Sequence, residues 1–297
     1  MRDSSARAHA LPYVLLLVAA ASFGGNWVAA RVVNFEVAPF ALSFWRWAIA
    51  ALLLFPLALA QLRADAPLIR AHWFKLFVFG AVGAGGFTLL GYWGVSYTTA
   101  INATLLNSSL PLFVVPLSWL LLGLTVSGRQ LLGLALSLAG VVSIVSGGSP
   151  QTLARLTLNP GDFLILGGAF LWAMYTVTLK WRPPLRALSF LFTTVASAAL
   201  ISLPFYLWET STGGTMTVTL ISAITIAYLA IFPSIVAYIC WNQAVAALGP
   251  NIVGFFNPVI PVFGILFAVI FLGEPLRTYH LAGFALVLAG VVLTSRR

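Results

Sequence analysis

Arg46 lies in the stretch Phe44-Trp45-Arg46-Trp47, inside a segment apolar enough to cross a membrane. An arginine there costs at least about 2.5–3.5 kcal/mol on insertion scales, so something must compensate it. Three arrangements would do so. The guanidinium binds the carboxylate of a substrate. It joins a structural network of protein carbonyls or Glu36. Or it snorkels outward, its stem packed on Trp45 and Trp47 in cation–π contact. Residue types alone leave all three open.

The remaining chemistry is that of amides, hydroxyls and rings. The first half of the chain supplies Asn26, Trp27, Tyr92, Trp93, Asn107 and Ser108, and the second half Trp172, Tyr175, Tyr238, Trp241, Asn242, Gln243 and Asn257. Amides and hydroxyls suit the ammonium and carboxylate of an amino acid, and rings suit an apolar or aromatic side chain. Trp and Tyr also anchor helices at the faces of a bilayer. Trp172 falls near the middle of its segment, where that role fails. Asn107 and Asn257 precede prolines and cost energy in lipid unless each faces a cavity or a partner. Pro111, Pro233, Pro258 and Pro261 each remove a backbone donor and free a carbonyl. In lipid such groups must face protein or a water-filled cavity, which makes these four the expected hinges or gates.

The missing residues narrow the chemistry further. No Asp or Glu falls in the middle of any apolar segment, and His9, His72 and His280 all lie at segment ends. Proton-driven carriers commonly relay through an intramembrane acid or His. The expectation is therefore facilitated diffusion, exchange, or coupling through an end group such as Glu274. Lys75 and Lys180 are the only lysines, and Leu76 and Trp181 follow them, so no phosphate-binding Gly-rich loop ending in Lys-Ser/Thr exists. Neither a paired intramembrane aspartate nor a His-Glu-x-x-His motif is present. The sequence reads as a protein that is not an enzyme and needs no cofactor or metal. Its single cysteine, Cys240, allows no intrachain disulfide.

What must position these groups is set by composition. Of 297 residues, 61% are hydrophobic and 7% charged, against roughly 25% charged in a soluble domain. A water-facing surface cannot be built from so few charges, and mean hydropathy is +1.03. This excludes a soluble enzyme, a disordered scaffold and a nucleic-acid binder. The net charge of +9 fits the Lys and Arg that collect in cytoplasmic loops. The lipid bilayer is the expected environment, and the apolar runs are too long and continuous for a membrane barrel.

A bilayer core about 30 Å thick takes about 20 helical residues. Charges and turn residues cut the chain into ten spans, near 11–31, 38–60, 75–97, 102–123, 128–147, 161–180, 187–208, 218–245, 251–272 and 278–295. Two long uncharged stretches are divided at Ser96-Tyr97-Thr98-Thr99 and at Leu248-Gly249-Pro250-Asn251. With the N-terminus inside, 11 basic residues fall on the inner side and Arg31, Arg155 and Arg277 on the outer. The positive-inside rule then places both termini in the cytoplasm.

The chain also contains itself twice. Moved forward by 150 positions, residues 103–147 meet 253–297 without a gap. Asn107 falls on Asn257, Pro111 on Pro261, Leu122-Gly123 on Leu272-Gly273, and Ala139-Gly140-Val141-Val142 on Ala289-Gly290-Val291-Val292. A weaker match aligns Trp93 with Trp241 at an offset of 148. Each half, 1–148 and 149–297, holds five spans. An odd count inverts the second half relative to the first. The expected fold is an all-α membrane protein of ten transmembrane helices, two inverted five-helix repeats around a central cavity. Inverted repeats are characteristic of secondary transporters, whose halves open one central site to alternate sides. Span three is rich in glycine (Gly80, Gly83, Gly85, Gly86, Gly91 and Gly94), read as close helix packing. Ala135/Ala139 and Ala285/Ala289 have small-residue spacing and read as packing or dimer faces.

The stretch from Asn257-Pro258-Val259-Ile260-Pro261 through Leu272-Gly273-Glu274-Pro275 to Leu281-Ala282-Gly283 and Ala289-Gly290-Val291-Val292 resembles the EamA family of the drug/metabolite transporter superfamily. The first half departs at the turn, where Leu124 stands opposite Glu274, so that acid has no symmetric partner. The wealth of Trp and Tyr resembles the branch that exports aromatic amino acids. The resemblance implies an exporter of small amphipathic metabolites in a bacterial inner (plasma) membrane, most plausibly of aromatic and other apolar amino acids. It would work without ATP, as a monomer or weak homodimer. A multidrug or nucleotide-sugar carrier of the same superfamily and a channel-like pore are the alternatives.

Overall fold

A computed structural model describes residues 2–33, 35–98, 106–154, 159–214, 216–273 and 275–295, and these are almost wholly helical. Nine helices among them are long and apolar enough to cross a membrane: α1 Arg2–Val32, α2 Pro39–Ala71, α3 Trp73–Val95, α5 Gly128–Val145, α6 Pro160–Trp181, α7 Ala187–Ser211, α8 Leu220–Leu248, α9 Pro250–Phe271 and α10 Thr278–Ser295. A shorter apolar helix, α4 Leu110–Leu122, stands in the expected fourth place. Glu274 and residues 99–105 lie outside the described residues, as does the Trp27 side chain.

Helix ends follow local chemistry. Pro39, Pro160 and Pro250 occupy first-turn positions, where a missing N–H costs nothing. Capping boxes start α5 (Ser127 with Gln130), α6 (Asn159 with Asp162) and α8 (Thr219 with Ser222). Helices α4 and α9 both stop at a left-handed glycine, Gly123 at φ 66° and Gly273 at φ 68°. Both expected breaks appear, at Ser96 after α3 and at Gly249 between α8 and α9.

Helix α2 runs eleven residues past the expected end at 60. The polar residues Gln61 and Asp65, just past that expected end, are used by α7. That helix has no cap of its own. Gln61 Oε1 accepts the Leu188 N–H at 3.1 Å and Asp65 Oδ2 the Arg186 N–H at 3.0 Å. Helix α2 is also uncapped, and Glu209 in the last turn of α7 accepts the N–H groups of Phe40 and Ala41 at 3.1 and 2.8 Å. The two antiparallel helices cap each other. A carboxylate there also faces the positive end of a helix dipole.

Packing has the same reciprocity. Helix α1 lies against α8 and α9, and α6 against α3 and α4; α2 runs along α7 and α5 along α10. Exchanging the first five helices for the last five maps this set of contacts onto itself. The α5–α10 seam is made of glycine. A Cβ on Gly133 would stand 2.6 Å from the Gly290 carbonyl, and one on Gly140 2.6 Å from that of Gly283. Ala135, Ala139, Ala285 and Ala289, expected as packing or dimer faces, take no part in this seam. All four are exposed, one helical face away from the seam. The glycines of α3 do pack closely, Gly80 against Thr194 and Gly83 against the Tyr175 ring.

Candidate functional site

Both third helices of the halves, α3 and α8, leave α-geometry in mid-membrane. Each holds a π-helical turn, at Ala81–Gly86 and at Phe232–Val236. In α8 the cause is legible. Pro233 has no N–H to give the Leu229 carbonyl. The Ser234 hydroxyl takes its place, donating to Leu229 O at 2.7 Å. Its oxygen then accepts from Arg46 Nε at 3.0 Å and Nη2 at 2.9 Å. In α3 the displaced carbonyl of Gly83 accepts the Tyr238 hydroxyl at 3.2 Å. Each π-turn therefore feeds a polar contact at the centre of the bundle.

Arg46 is 2% exposed. Its Nη1 donates to Asn26 Oδ1 and to the Tyr92 hydroxyl, both at 2.7 Å, and its guanidinium lies 4.7 Å from the Trp47 ring centroid. Tyr92 in turn donates to Asn26 Oδ1 at 3.1 Å. Of the three arrangements open to Arg46, snorkelling is excluded by this burial. Glu36 is excluded as well, since it accepts from Thr219 Oγ1 at 2.6 Å in a loop that pairs with Met216–Thr219. Trp45 packs against Phe44 and Tyr206 rather than under the guanidinium. What remains is a full positive charge held by Asn, Tyr and Ser oxygens. These satisfy donors without neutralising the charge.

That charge faces a narrow cavity of about 20 Å³, closed down to room for about one water. Asn26, Arg46, Asn107, Trp172, Tyr238 and Asn257 line it, with Phe23, Phe87, Thr88 and Ile260. Asn257 Nδ2 donates to the Asn107 carbonyl at 2.9 Å, tying the start of α4 to the broken start of α9. Opposite the polar side stands a ring cluster. Trp172 stacks on Tyr175 at 5.2 Å and 18°, meets Tyr238 at 5.2 Å and 67°, and meets Trp241 at 5.4 Å. Buried Tyr and Trp need partners for their polar tips. Tyr175 donates to Asn242 Oδ1 at 3.0 Å and Trp241 Nε1 to Thr176 Oγ1 at 3.1 Å.

Six of the expected binding residues thus line one cavity, Tyr92, Tyr175 and Trp241 touch its lining, and Asn242 stands behind Tyr175. Ser108 is buried beside Asn107 without lining it. Trp93 lies elsewhere, 37% exposed and edge-on to Phe40 at 5.8 Å. Pro111 sits in the first turn of α4, Pro258 at the break in α9, and Pro261 inside α9. Sequence reading missed Ser234, Thr88, Phe23, Phe87 and Ile260. Ser234 had a signal, a hydroxyl beside a mid-membrane proline. Thr88 anchors the α2–α3 contact, accepting from Trp47 Nε1 at 3.0 Å and bonding Ser43 at 3.0 Å, which no spacing announces.

The chain matches the EamA-like transporter family twice, over residues 10–146 and 159–296. It belongs to that family. This EamA-like chain is therefore a membrane transporter of the drug/metabolite superfamily and not an enzyme. It is 25% identical over 289 residues to the uncharacterised transporter YyaM of Bacillus subtilis (strain 168), covering 95% of this chain and 93% of that one. It is 29% identical over 248 residues to a "Probable terminal-alkyne amino-acid exporter" of Streptantibioticus cattleyicolor, covering 82% and 77%. A solved crystal structure shares the fold at a TM-score of 0.79 and 21% identity, over 96% of this chain and 97% of that one.

Proposed function

We propose that this EamA-like transporter exports small zwitterionic metabolites, foremost amino acids with aromatic or other apolar side chains, from the cytoplasm without ATP. The observation that carries the reading is the unneutralised Arg46 guanidinium facing one side of the cavity while the Trp172–Tyr238 rings form the other. Arg46 takes the carboxylate. The oxygens of Asn26, Asn107 and Asn257 accept from the ammonium, and the rings cover the side chain. A desolvated guanidinium offers an anion a far stronger contact than one in water.

The reading includes ten spans in two inverted halves, 1–148 and 149–297, with both termini cytoplasmic in a bacterial inner membrane. The reciprocal helix pairings and the double family match support it. Opening and closing proceed by rocking of the halves about the α2–α7 and α5–α10 contacts. Pro111, Pro233, Pro258 and Pro261 provide the bending points. The export direction rests on the similarity to the amino-acid exporter.

The test is counterflow of labelled L-phenylalanine in proteoliposomes. Saturable counterflow, blocked by unlabelled aromatic amino acids and not by phenethylamine, is the expected result. Non-saturable flux would make the protein a pore and end the carrier reading. Arg46→Lys keeps charge but loses the planar fork, so KM rises about tenfold or more while the protein stays folded.

A further inference from the structure

A second recess opens beside the central cavity, at the end of the bundle where Lys180, Arg182 and Arg186 cluster. It has a volume of about 350 Å³ between α7 and α8, and Arg182, Leu191, Ile239, Asn242, Gln243 and Ala247 are among its walls. Its sequence origin is specific. Helix α6 tightens into a 3-10 turn at Leu179–Trp181, and Pro183-Pro184 follow Arg182. A residue before proline is pushed to extended backbone, and Arg182 adopts φ −58°, ψ 144°. The arginine is thus presented from a stiff corner rather than a mobile loop. It is half-buried, and its guanidinium lies 5.5 Å from the centroid of the Phe190 ring.

Among the described residues no carboxylate lies within ion-pair distance of Arg182. The nearby acid, Asp65, is committed to the Arg186 N–H and guanidinium. The recess therefore offers a cation held on an aromatic face, with the amides of Asn242 and Gln243 beside it. That set fits a carboxylate.

Asn242 links the two compartments. It lines the recess and accepts the Tyr175 hydroxyl, and the Tyr175 ring stacks on Trp172, which lines the central cavity. The partition between recess and cavity is thus two stacked rings and one hydrogen bond thick. We infer that the recess is the loading site where a substrate carboxylate first meets Arg182, and that the Tyr175–Asn242 pair is the inner gate through which it passes to Arg46. The inference rests on the transport reading above and adds its entry step. A carboxylate at Arg182 accepts from Asn242 Nδ2 and turns the amide toward the recess, which draws Oδ1 away from the Tyr175 hydroxyl and opens the gate.

The experiment has two arms. In the first, the purified full-length protein is treated with phenylglyoxal and modification of Arg182 is read by mass spectrometry. L-Phenylalanine should slow that modification several-fold, and phenethylamine, which lacks the carboxylate, should not. Equal protection by both, or by neither, overturns the loading site whether or not the protein transports phenylalanine. In the second arm, phenylalanine flux is measured from the Arg182 face in proteoliposomes. Arg182→Ala should raise KM about tenfold at about 20 mM salt with kcat unchanged. It should also flatten the rise in KM that the wild type shows up to about 200 mM salt. Arg182→Lys should keep most of that salt dependence. Tyr175→Phe, which removes only the gate hydroxyl, should raise flux at saturating substrate about two- to fivefold. An unchanged salt profile in Arg182→Ala refutes the loading role, and unchanged or lower flux in Tyr175→Phe refutes the gate. Absent flux in the wild type with Arg182 still protected would instead fail the export reading and leave the anion site standing.

Discussion

The helix ends and the bundle centre of this transporter treat its internal repetition in opposite ways. At the ends, Phe40 is capped by Glu209 and Leu188 by Gln61. Each residue of the second contact is its counterpart in the first displaced by 148 positions. The glycine contacts of α5 and α10 are likewise interchangeable, Gly133 with Gly290 and Gly140 with Gly283. At the centre the same displacement carries Arg46 onto Thr194, a buried and uncharged hydroxyl that donates to Phe190 O in its own helix. Tyr92 falls on Cys240. The scaffold has stayed two-fold while the site has become one-sided: the cation comes from the first half and the Trp172, Tyr175, Tyr238 and Trp241 cluster from the second, with Phe23 and Phe87 packed against it. Backbone contacts constrain both copies equally, and the proposed rocking of the halves would need such matching seams. The proposed substrate, an amino acid with an apolar side chain, has a charged end and an apolar end, so a symmetric site would leave one of them badly matched.

The sharpest way to break this contrast is at Arg46. Arg46→Ala removes a charge-assisted contact of about 2–3 kcal/mol, roughly a 30–150-fold loss in kcat/KM for phenylalanine. The counterpart change Thr194→Ala should stay within about threefold. Equal losses in the two variants would mean that Arg46 is structural. The seam makes the opposite prediction. Gly133→Ala and Gly283→Ala should each destabilise by about 1–3 kcal/mol, because a Cβ meets the facing helix at under 3 Å in both. Thermal unfolding in detergent should show matching drops in Tm, and a one-sided drop would break the equivalence.

Smaller effects refine the picture. Asn257→Ala removes the donor to the Asn107 carbonyl and costs about 1–2 kcal/mol, visible in Tm and in transport. Asn107→Ala leaves that backbone acceptor in place and should cost less, so the two asparagines separate despite their equivalent positions. Smallest is the cap. Glu209→Gln keeps one acceptor for two N–H groups and loses the dipole term, about 1 kcal/mol, and added salt should narrow the gap from wild type.

Much of this was written in the order of residues. The breaks at Ser96 and Gly249, the capping boxes and the left-handed glycines are local events, decided by side chains within a turn of each other. The resemblance carried by Asn257-Pro258 and the Gly283 and Gly290 pattern also held, because close helix contact tolerates no other residue there. Polarity misled where it served a distant partner. Gln61 and Asp65 look like loop residues until α7 arrives to use them. The outward alanines look like a seam only when the facing helix is unknown.

By itself the sequence determined that the protein lives in a membrane, where its helices break, and that Arg46 needs an answer to its charge. Hydropathy, proline and the cost of a buried ion are properties of a chain before it folds. Only the tertiary structure decided what the answer is. Ser234, Asn26 and Tyr92 come from three other helices, and no spacing along the chain places their oxygens within 3.0 Å of one guanidinium. That convergence depends on how α1, α2, α3 and α8 cross, which many side chains settle together and no short motif records.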